Sequence, residues 1–182
     1  MVDAHSPEFH AAGPESDAAP VDAEETAAEE TAAEEIPAEV HADYANDAVR
    51  AALHALQETP DYPHLAAFLL ALREGYLVVD ITGTAGKKRG PRARTLRSTS
   101  GQLVLPIFTS MAELRAVAPA SRAEELKGAV MPAQQALALI ASDRFVAAEF
   151  DKASAALVVL RKYVTLAASS AEITAESVAA LK

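Results

Sequence analysis

The chain has 182 residues, of which 16 are basic and 26 are acidic, so its formal net charge is −10. Cysteine is absent, which excludes disulfides, thiol nucleophiles and thiolate metal sites. No apolar run approaches the ~18 residues that span a bilayer, and no basic start with an apolar stretch marks a signal peptide. We therefore expect a cytoplasmic protein.

The negative charge is concentrated at the N-terminus. Residues 1–40 contain twelve acids, four prolines and no Lys or Arg, and "VDAEETAAEETAAEEI" repeats a five-residue pattern. Such a segment buries too little apolar surface to offset the entropy of ordering, so we predict a disordered acidic tail over residues 1–43. The remaining 16 basic and 14 acidic residues give residues 41–182 a charge of +2.

Two helices follow the tail in the predicted order. Asn46 or Asp47 is a suitable cap for the first, whose apolar residues share one helical face: Val49, Leu53 and Leu56. The second is expected to run from about Pro63 to Glu74 and to end at Gly75, a residue type that favours helix ends. Its core-facing residues are Leu65, Phe68, Leu69 and Leu72.

Two apolar strands flank a basic segment. Tyr76 to Ile81 and Gln102 to Phe108 are predicted to be strands, with residues 82–101 as a long, mobile hairpin connection into which frayed strand extensions could reach. Pro106 has no amide to donate, so we expect an edge or a bulge on that side of the second strand. The connection contains six cations within eleven residues: Lys87, Lys88, Arg89, Arg92, Arg94 and Arg97.

The second strand leads directly into a helix. Ser110 and Glu113 have the S-x-x-E spacing of a capping box, in which each side chain accepts the other's backbone amide. Phe108 is expected to fill the core beneath this turn, with Met111 and Leu114 facing inward and Pro119 ending the helix. Every residue of the junction then has a structural role, including Thr109.

The second half of the chain alternates short elements. Ser121 and Glu124 repeat the capping pattern more weakly, and Leu126 to Met131 is predicted to be a strand before a helix that Pro132 begins. Arg144 to Phe150 and Ala156 to Val164 are predicted to pair around "DKAS". Thr174 is expected to cap a terminal helix, with Ile173 packing on Val178. The predicted fold is α+β, a small mixed sheet with helices packed on it.

One hexapeptide carries a family resemblance. Leu105-Pro106-Ile107-Phe108-Thr109-Ser110, followed by Glu113-Leu114 and Ala118-Pro119 within this order of elements, resembles the SseB N-terminal domain family from about Thr59 to Leu166. The late turn Glu149 to Lys152 departs from the Asn-Pro-Gly-like turn frequent in that family. The resemblance implies a non-catalytic intracellular domain. We assign residues 44–168 to this domain and residues 169–182 to a C-terminal helix. It implies no established substrate, cofactor or catalytic residue.

The six cations of the basic loop admit three readings. They could form a solvated loop without a specific partner, contact an acidic protein or the chain's own acidic tail, or pair with the phosphates of RNA. No aromatic side chain in the loop could stack on bases, so sequence-specific RNA recognition is not expected.

Catalytic and metal-binding motifs are missing from the sequence. The histidines lack H-E-x-x-H or H-x-x-x-H spacing, and neither G-x-S-x-G, S-x-x-K nor G-x-x-x-x-G-K-[ST] occurs. We therefore expect no enzyme activity, no cofactor and no metal. The terminal segment "ITAESVAALK" and the first helix could form an apolar docking groove or pack into the core.

The sequence thus favours a protein-binding or adaptor module with an unknown protein partner and no membrane contact. Its expected binding surfaces are the strand–helix face at Ser110 and the basic loop. The alternative is a regulatory module that binds a small molecule, or a polyanion such as RNA, through the basic loop.

Overall fold

The computed structural model describes residues 43–83 and 93–181, and the predictions for the acidic tail and for residues 84–92 lie outside these ranges. The elements, in chain order, are α1 (Asp47–Glu58), α2 (Tyr62–Ala71), β1 (Tyr76–Asp80), β2 (Leu96–Arg97), β3 (Leu103–Ile107), α3 (Met111–Ala116), a 3-10 segment (Ala120–Glu125), β4 (Gly128–Pro132), α4 (Ala133–Ala138), a 3-10 turn (Leu139–Ala141), β5 (Phe145–Phe150), β6 (Leu157–Leu160), α5 (Arg161–Ala168) and α6 (Ala175–Ala180).

The strands form two small sheets with helices packed against them, which confirms the α+β prediction. One sheet pairs β1 with β4, and the other has the order β2-β3-β5-β6. β3 and β5 are parallel, whereas the other pairs are antiparallel. Among the described residues, no helix is long and apolar enough to span a membrane.

The predicted β1–β3 hairpin is wrong. β1 pairs along its whole length with β4, from Tyr76 opposite Pro132 to Asp80 opposite Gly128. It meets the β3 segment only through a bridge between Val78 and Phe108. Part of the predicted loop is itself a strand, because β2 pairs with β3. Pairing with distant β4 gives β1 a partner for a fully buried apolar run.

The first two helices begin and pack as predicted. The side chain of Asn46 accepts the amide of Val49, and that of Asp61 accepts the amide of His64. The α1 residues Val49, Leu53 and Leu56 are buried, and Phe68, Leu69 and Leu72 are fully enclosed. The helix α2 ends at Ala71, three residues earlier than predicted, and Gly75 with φ +70° lies in the turn that leads to β1.

Pro106 lies beside a gap in the β3 ladder, which confirms the predicted edge. Alternate residues of a strand direct their backbone groups to the same side. Val104 pairs with β2 and Phe108 with Val78, and Pro106 lies between them on that side. The amide of Arg94, which would face Pro106, instead donates to the carbonyl of Asp80 at 2.6 Å. The missing proline N–H therefore leaves no ladder bond broken.

The cap predicted at Ser121 with Glu124 is wrong. The 3-10 segment begins at Ala120 with Pro119 at its cap position and no side-chain capping bond. Ser121 thus lies inside the first turn, where its hydroxyl cannot cap that turn. β4 then begins at Gly128, two residues later than predicted, whereas α4 begins after Pro132 as expected.

The predicted strand Ala156 to Val164 is only half correct. β6 ends at Leu160, and the chain continues as α5. Val164 and Ala167 are both buried, with helical i, i+3 spacing. Burial of this helical face outweighs the β-propensity of Tyr163, Val164 and Thr165.

The C-terminal helix α6 is capped as predicted, by Thr174 in a reciprocal pair with Ser177. Ile173 and Val178 are buried in the main core. The segment therefore packs as part of the core, which decides between its two predicted roles.

Arg73 ties the end of the α2 segment to the end of α5. Its guanidinium donates to the carbonyls of Leu166 at 3.1 Å, Ala167 at 3.2 Å and Ala171 at 2.6 Å. We expect Arg73→Ala to lower the free energy of unfolding by about 2 kcal/mol, because charged hydrogen bonds to helix-end carbonyls are lost. Urea unfolding would measure this. An Arg73→Lys variant as unstable as Arg73→Ala would show that the planar fork is essential, and an unchanged Arg73→Ala would contradict the prediction.

Candidate functional site

The junction singled out by sequence lies where two parallel strands end. β3 and β5 point the same way, so the residues after them, Thr109 and Asp151, meet at one edge. Asp151 accepts the Thr109 amide at 2.8 Å and the Thr109 hydroxyl at 2.6 Å. The exposed fractions of these residues are 0% for Thr109 and 3% for Asp151.

Asp151 also organises the turn between β5 and β6. Its own amide donates to the carbonyl of Ile107, and its carbonyl accepts the amides of Ser154, Ala155 and Ala156. Its φ is +46°, in the left-handed region that Asp and Asn tolerate better than most residues. The predicted "DKAS" turn is therefore built around one aspartate, a role that sequence reasoning did not identify.

Only half of the predicted capping box forms at Ser110. Its hydroxyl accepts the amide of Glu113 at 3.1 Å, as predicted. The Glu113 carboxylate, however, accepts the hydroxyl of Ser154 at 2.8 Å instead of returning to the Ser110 amide. Glu113 thereby joins α3 to the β5–β6 turn. The box prediction used only the local sequence and missed this contact across 41 residues.

The chemistry of this cluster is structural. Burial is the main reason that the pKa of Asp151 is raised, and the two bonds from Thr109 partly oppose it. In the described part of the chain, no buried side-chain nitrogen or oxygen lacks a hydrogen-bond partner. The side chains of Asp151 and Ser110 thus hydrogen-bond to other residues of the domain. The junction holds the sheet, α3 and the turn together.

The hexapeptide side chains of the junction are turned into the fold. Leu105, Pro106, Phe108, Thr109 and Ser110 are all buried. The expectation that the strand–helix face at Ser110 contacts a partner stays a prediction, and the burial of these residues gives it no support. The apolar residues of the hexapeptide belong to two cores: Leu105 to the main one, and Phe108 to a smaller one with Val78 and Val130.

The basic loop is only partly described. Lys87, Lys88, Arg89 and Arg92 lie outside the described ranges, so the predicted six-cation patch stays a prediction. Arg94 lies 3.6 Å from a carboxylate oxygen of Asp80, which is 4% exposed. Arg97 is exposed and donates to the carbonyl of Gly101 at 3.0 Å. One of the two described cations is thus held by a buried acid.

An apolar groove lies beside strand β6. It encloses about 560 Å³. One wall is the turn between α1 and α2, and the other is β6 with the start of α5. Its lining includes Leu56, Tyr62, Leu65, Val158, Leu160 and Tyr163.

Strand β6 is the uncovered edge of its sheet and has an apolar surface. Val158 and Leu160 are 54% and 51% exposed, and the strand Leu157–Leu160 contains no charge. Edge strands are usually protected by charged residues, prolines or bulges. The run "LVVL" indicated a strand in the sequence. That its alternate residues, Val158 and Leu160, face solvent was not predicted.

Asp61 supplies the charge at one end of the groove. It caps α2, and its carboxylate also lies 2.6 Å from Nδ1 of His64. Its bonds from the His64 backbone and then from the His64 side chain lower the pKa of Asp61, so this end of the groove is anionic at neutral pH. Gln57 donates to the carbonyl of Ala155 at 2.8 Å and joins the two walls there.

A second cavity, of about 510 Å³, lies near β1 and β4 and is lined mainly by apolar residues. Its polar groups, Thr95, Ser142 and Asp143, are all exposed. It therefore offers no buried polar group to orient a small molecule. The described ranges also contain no group of three or more side chains suited to a metal ion.

The comparison with protein families agrees with the resemblance that the hexapeptide carries. The family model for the SseB protein N-terminal domain matches residues 49–169, about two thirds of the chain. The searches of curated proteins and of solved structures each found no match. The matched range includes β1 to β6, the Thr109–Asp151 junction and the apolar groove. The chain therefore belongs to the SseB N-terminal domain family.

Proposed function

We propose that this protein is a non-catalytic protein-binding module of the cytoplasm, and that it binds its partner in the groove beside β6. The observation that carries the proposal is the charge-free edge strand β6, which lines an apolar groove together with the α1–α2 turn and leaves Val158 and Leu160 about half exposed. Grooves of this kind are typical of interaction sites in soluble domains.

The groove is better suited to contact a partner than the surfaces predicted from sequence. The strand–helix face at Ser110 is buried, and Arg94 of the basic loop is engaged by Asp80. By contrast, about half of each of Val158 and Leu160 is in contact with water. Covering this area with a partner is favourable because apolar surface leaves water, at roughly 25 cal/mol per Å².

Introducing positive charge on the apolar strand of the groove tests the proposal. We expect the double variant Val158→Lys/Leu160→Lys to lose a partner that the wild-type full chain retains from native lysate, with affinity reduced at least roughly a hundredfold. Two lysines would keep water in the groove and leave unpaired charge in an apolar contact. The measurement is affinity capture with quantitative mass spectrometry, followed by titration of the purified partner.

The control is Leu70→Lys, which places one lysine on another exposed apolar residue, 45% exposed, outside the groove. It should retain the partner. Loss of the partner with both variants would point to a general charge effect. Retention with both would show that the groove is not the binding site.

A further inference from the structure

We propose that the groove binds an extended segment of a partner protein, which adds to β6 as a fifth strand of the β2-β3-β5-β6 sheet. This inference rests on the proposed function and adds the conformation and chemistry of the bound segment. Its support comes from the direction of the β6 backbone, the side chains on each side of the groove and the groove's charge.

The backbone of Val158 points away from β5. Asp151 donates its amide to Ile107 of β3, so the carbonyl of Phe150, on the same peptide unit, points to β6. Phe150 pairs with Leu157, and Ala148 with Val159, so Leu157 and Val159 are the residues that bond to β5. Val158 therefore directs its N–H and C=O outward, into the groove.

Within the described residues, no strand pairs with that outward edge, because β6 ends the sheet order. No backbone group within 43–83 or 93–181 hydrogen-bonds to the backbone of Val158 from outside the sheet. An added strand lies about 4.8 Å from its neighbour and satisfies such groups along its whole length. This is the mode of recognition in which main-chain bonds provide affinity and alternate side chains provide specificity.

The two sides of the groove define the side chains of the bound segment. Leu157 and Val159 face the core side, where α1 and α2 pack, and Val158 and Leu160 face the opposite side. A segment paired with β6 would direct one set of alternate residues at Leu56, Leu65 and Tyr62 and the other set at Val158 and Leu160. Apolar or β-branched residues suit both sets.

The charge at one end of the groove disfavours acidic residues there. Asp61 is the charged residue of its lining, and it is ionised at neutral pH. The bound segment should therefore be free of acids and carry Lys or Arg near Asp61.

A matched pair of substitutions separates backbone from side-chain recognition. Val158→Ala and Val158→Pro both remove the valine side chain, but only Pro removes the outward N–H. Proline is tolerated on edge strands where the N–H faces solvent. The ligands are linear peptides selected from a random library on the immobilised full chain and then synthesised.

We expect the selected peptides to alternate apolar residues, to lack acids and to contain a base. Their Kd should rise roughly twofold to fivefold for Val158→Ala and about tenfold to a hundredfold for Val158→Pro, because a buried partner carbonyl loses its donor. In the wild-type chain, hydrogen exchange of the Val158 amide should slow when peptide binds. This last measurement needs no substitution and stands even if Val158→Pro does not fold.

The other outcomes are distinct. Equal Kd values for Val158→Ala and Val158→Pro, with unchanged exchange at Val158, would mean that a helix or loop binds through side chains, which overturns strand addition but keeps the groove. No selected peptide, or peptides insensitive to Val158→Lys/Leu160→Lys, would overturn the groove itself. Self-association of the full chain that Val158→Pro abolishes would assign the edge to a second copy and overturn the partner segment.

Discussion

Asp151→Ala should lower the free energy of unfolding by about 2–4 kcal/mol, although it removes only one small side chain. The carboxylate holds both the amide and the hydroxyl of Thr109, and all of these groups are buried. Its loss leaves two buried donors without their acceptor. Alanine is also strained at φ +46°.

Two companion variants separate the causes. Asp151→Gly removes the carboxylate without backbone strain, so it should be more stable than Asp151→Ala. Asp151→Asn keeps an acceptor for the Thr109 amide, can donate to the Thr109 hydroxyl and tolerates a positive φ. It should remain close to wild type. Urea unfolding of the four proteins gives the comparison, and equal loss in all three variants would contradict this account.

The pH dependence of the same variants follows from the raised pKa of Asp151. Because its native pKa lies above that of the unfolded chain, the native state holds this proton more tightly. The resulting stabilisation is fully present below the unfolded pKa, roughly 4, and is lost as the pH rises through the native pKa. Asp151→Asn cannot titrate here. Its stability relative to wild type should therefore increase with pH over that window, and a pH-independent difference would show that Asp151 has no raised pKa.

The local features of this fold could be predicted from sequence because their causes are local. Asn46 caps a helix with a side chain three residues from the amide it accepts, and Thr174 does the same. The spacing of Val49, Leu53 and Leu56 encodes a buried helical face regardless of what covers it. Such features depend on neighbours within one or two turns, which the sequence displays directly.

The pairing of the strands depends on distant residues and could not be predicted in the same way. β1 and β3 are consecutive apolar runs, and a hairpin was the simplest reading. The structure instead pairs β1 with β4, some fifty residues later in the chain. Parallel pairing of β3 with β5 is what brings Thr109 to Asp151, 42 residues away. The sequence alone therefore does not indicate the role of Asp151, because this role depends on the sheet order.

The groove was missed for a related reason. "LVVLRKYVTL" has the composition of one long strand, but helix α5 begins at Arg161 and leaves a four-residue edge. The exposed side chains of Val158 and Leu160 follow from that short edge and from the place of β6 at the end of the sheet order. From sequence, most of this run was predicted as one strand, and its exposed side chains were not identified.

Phe150→Ala should have the largest effect, a loss of about 3–5 kcal/mol in the free energy of unfolding. Phe150 is fully buried, as is Phe68 of α2, and their rings meet edge to face with centroids 5.3 Å apart. Removing one ring deletes this contact and leaves a cavity that the surrounding core can fill only in part. Urea unfolding measures the loss, and Phe150→Leu, which keeps most of the volume, should lose clearly less.

The same substitution connects the core to the groove. Phe68 belongs to α2, which forms one wall, and Phe150 pairs with Leu157, the first residue of the other wall. The ring contact therefore fixes the separation of the two walls. A double-mutant cycle with Phe68→Ala and Phe150→Ala should give a coupling of roughly 0.5–1.5 kcal/mol. If the walls are held this way, Phe150→Leu should weaken peptide binding while the protein stays folded, although it changes no groove residue. Unchanged binding in a folded Phe150→Leu variant would show that the wall separation is set elsewhere, for example by the Gln57–Ala155 bond.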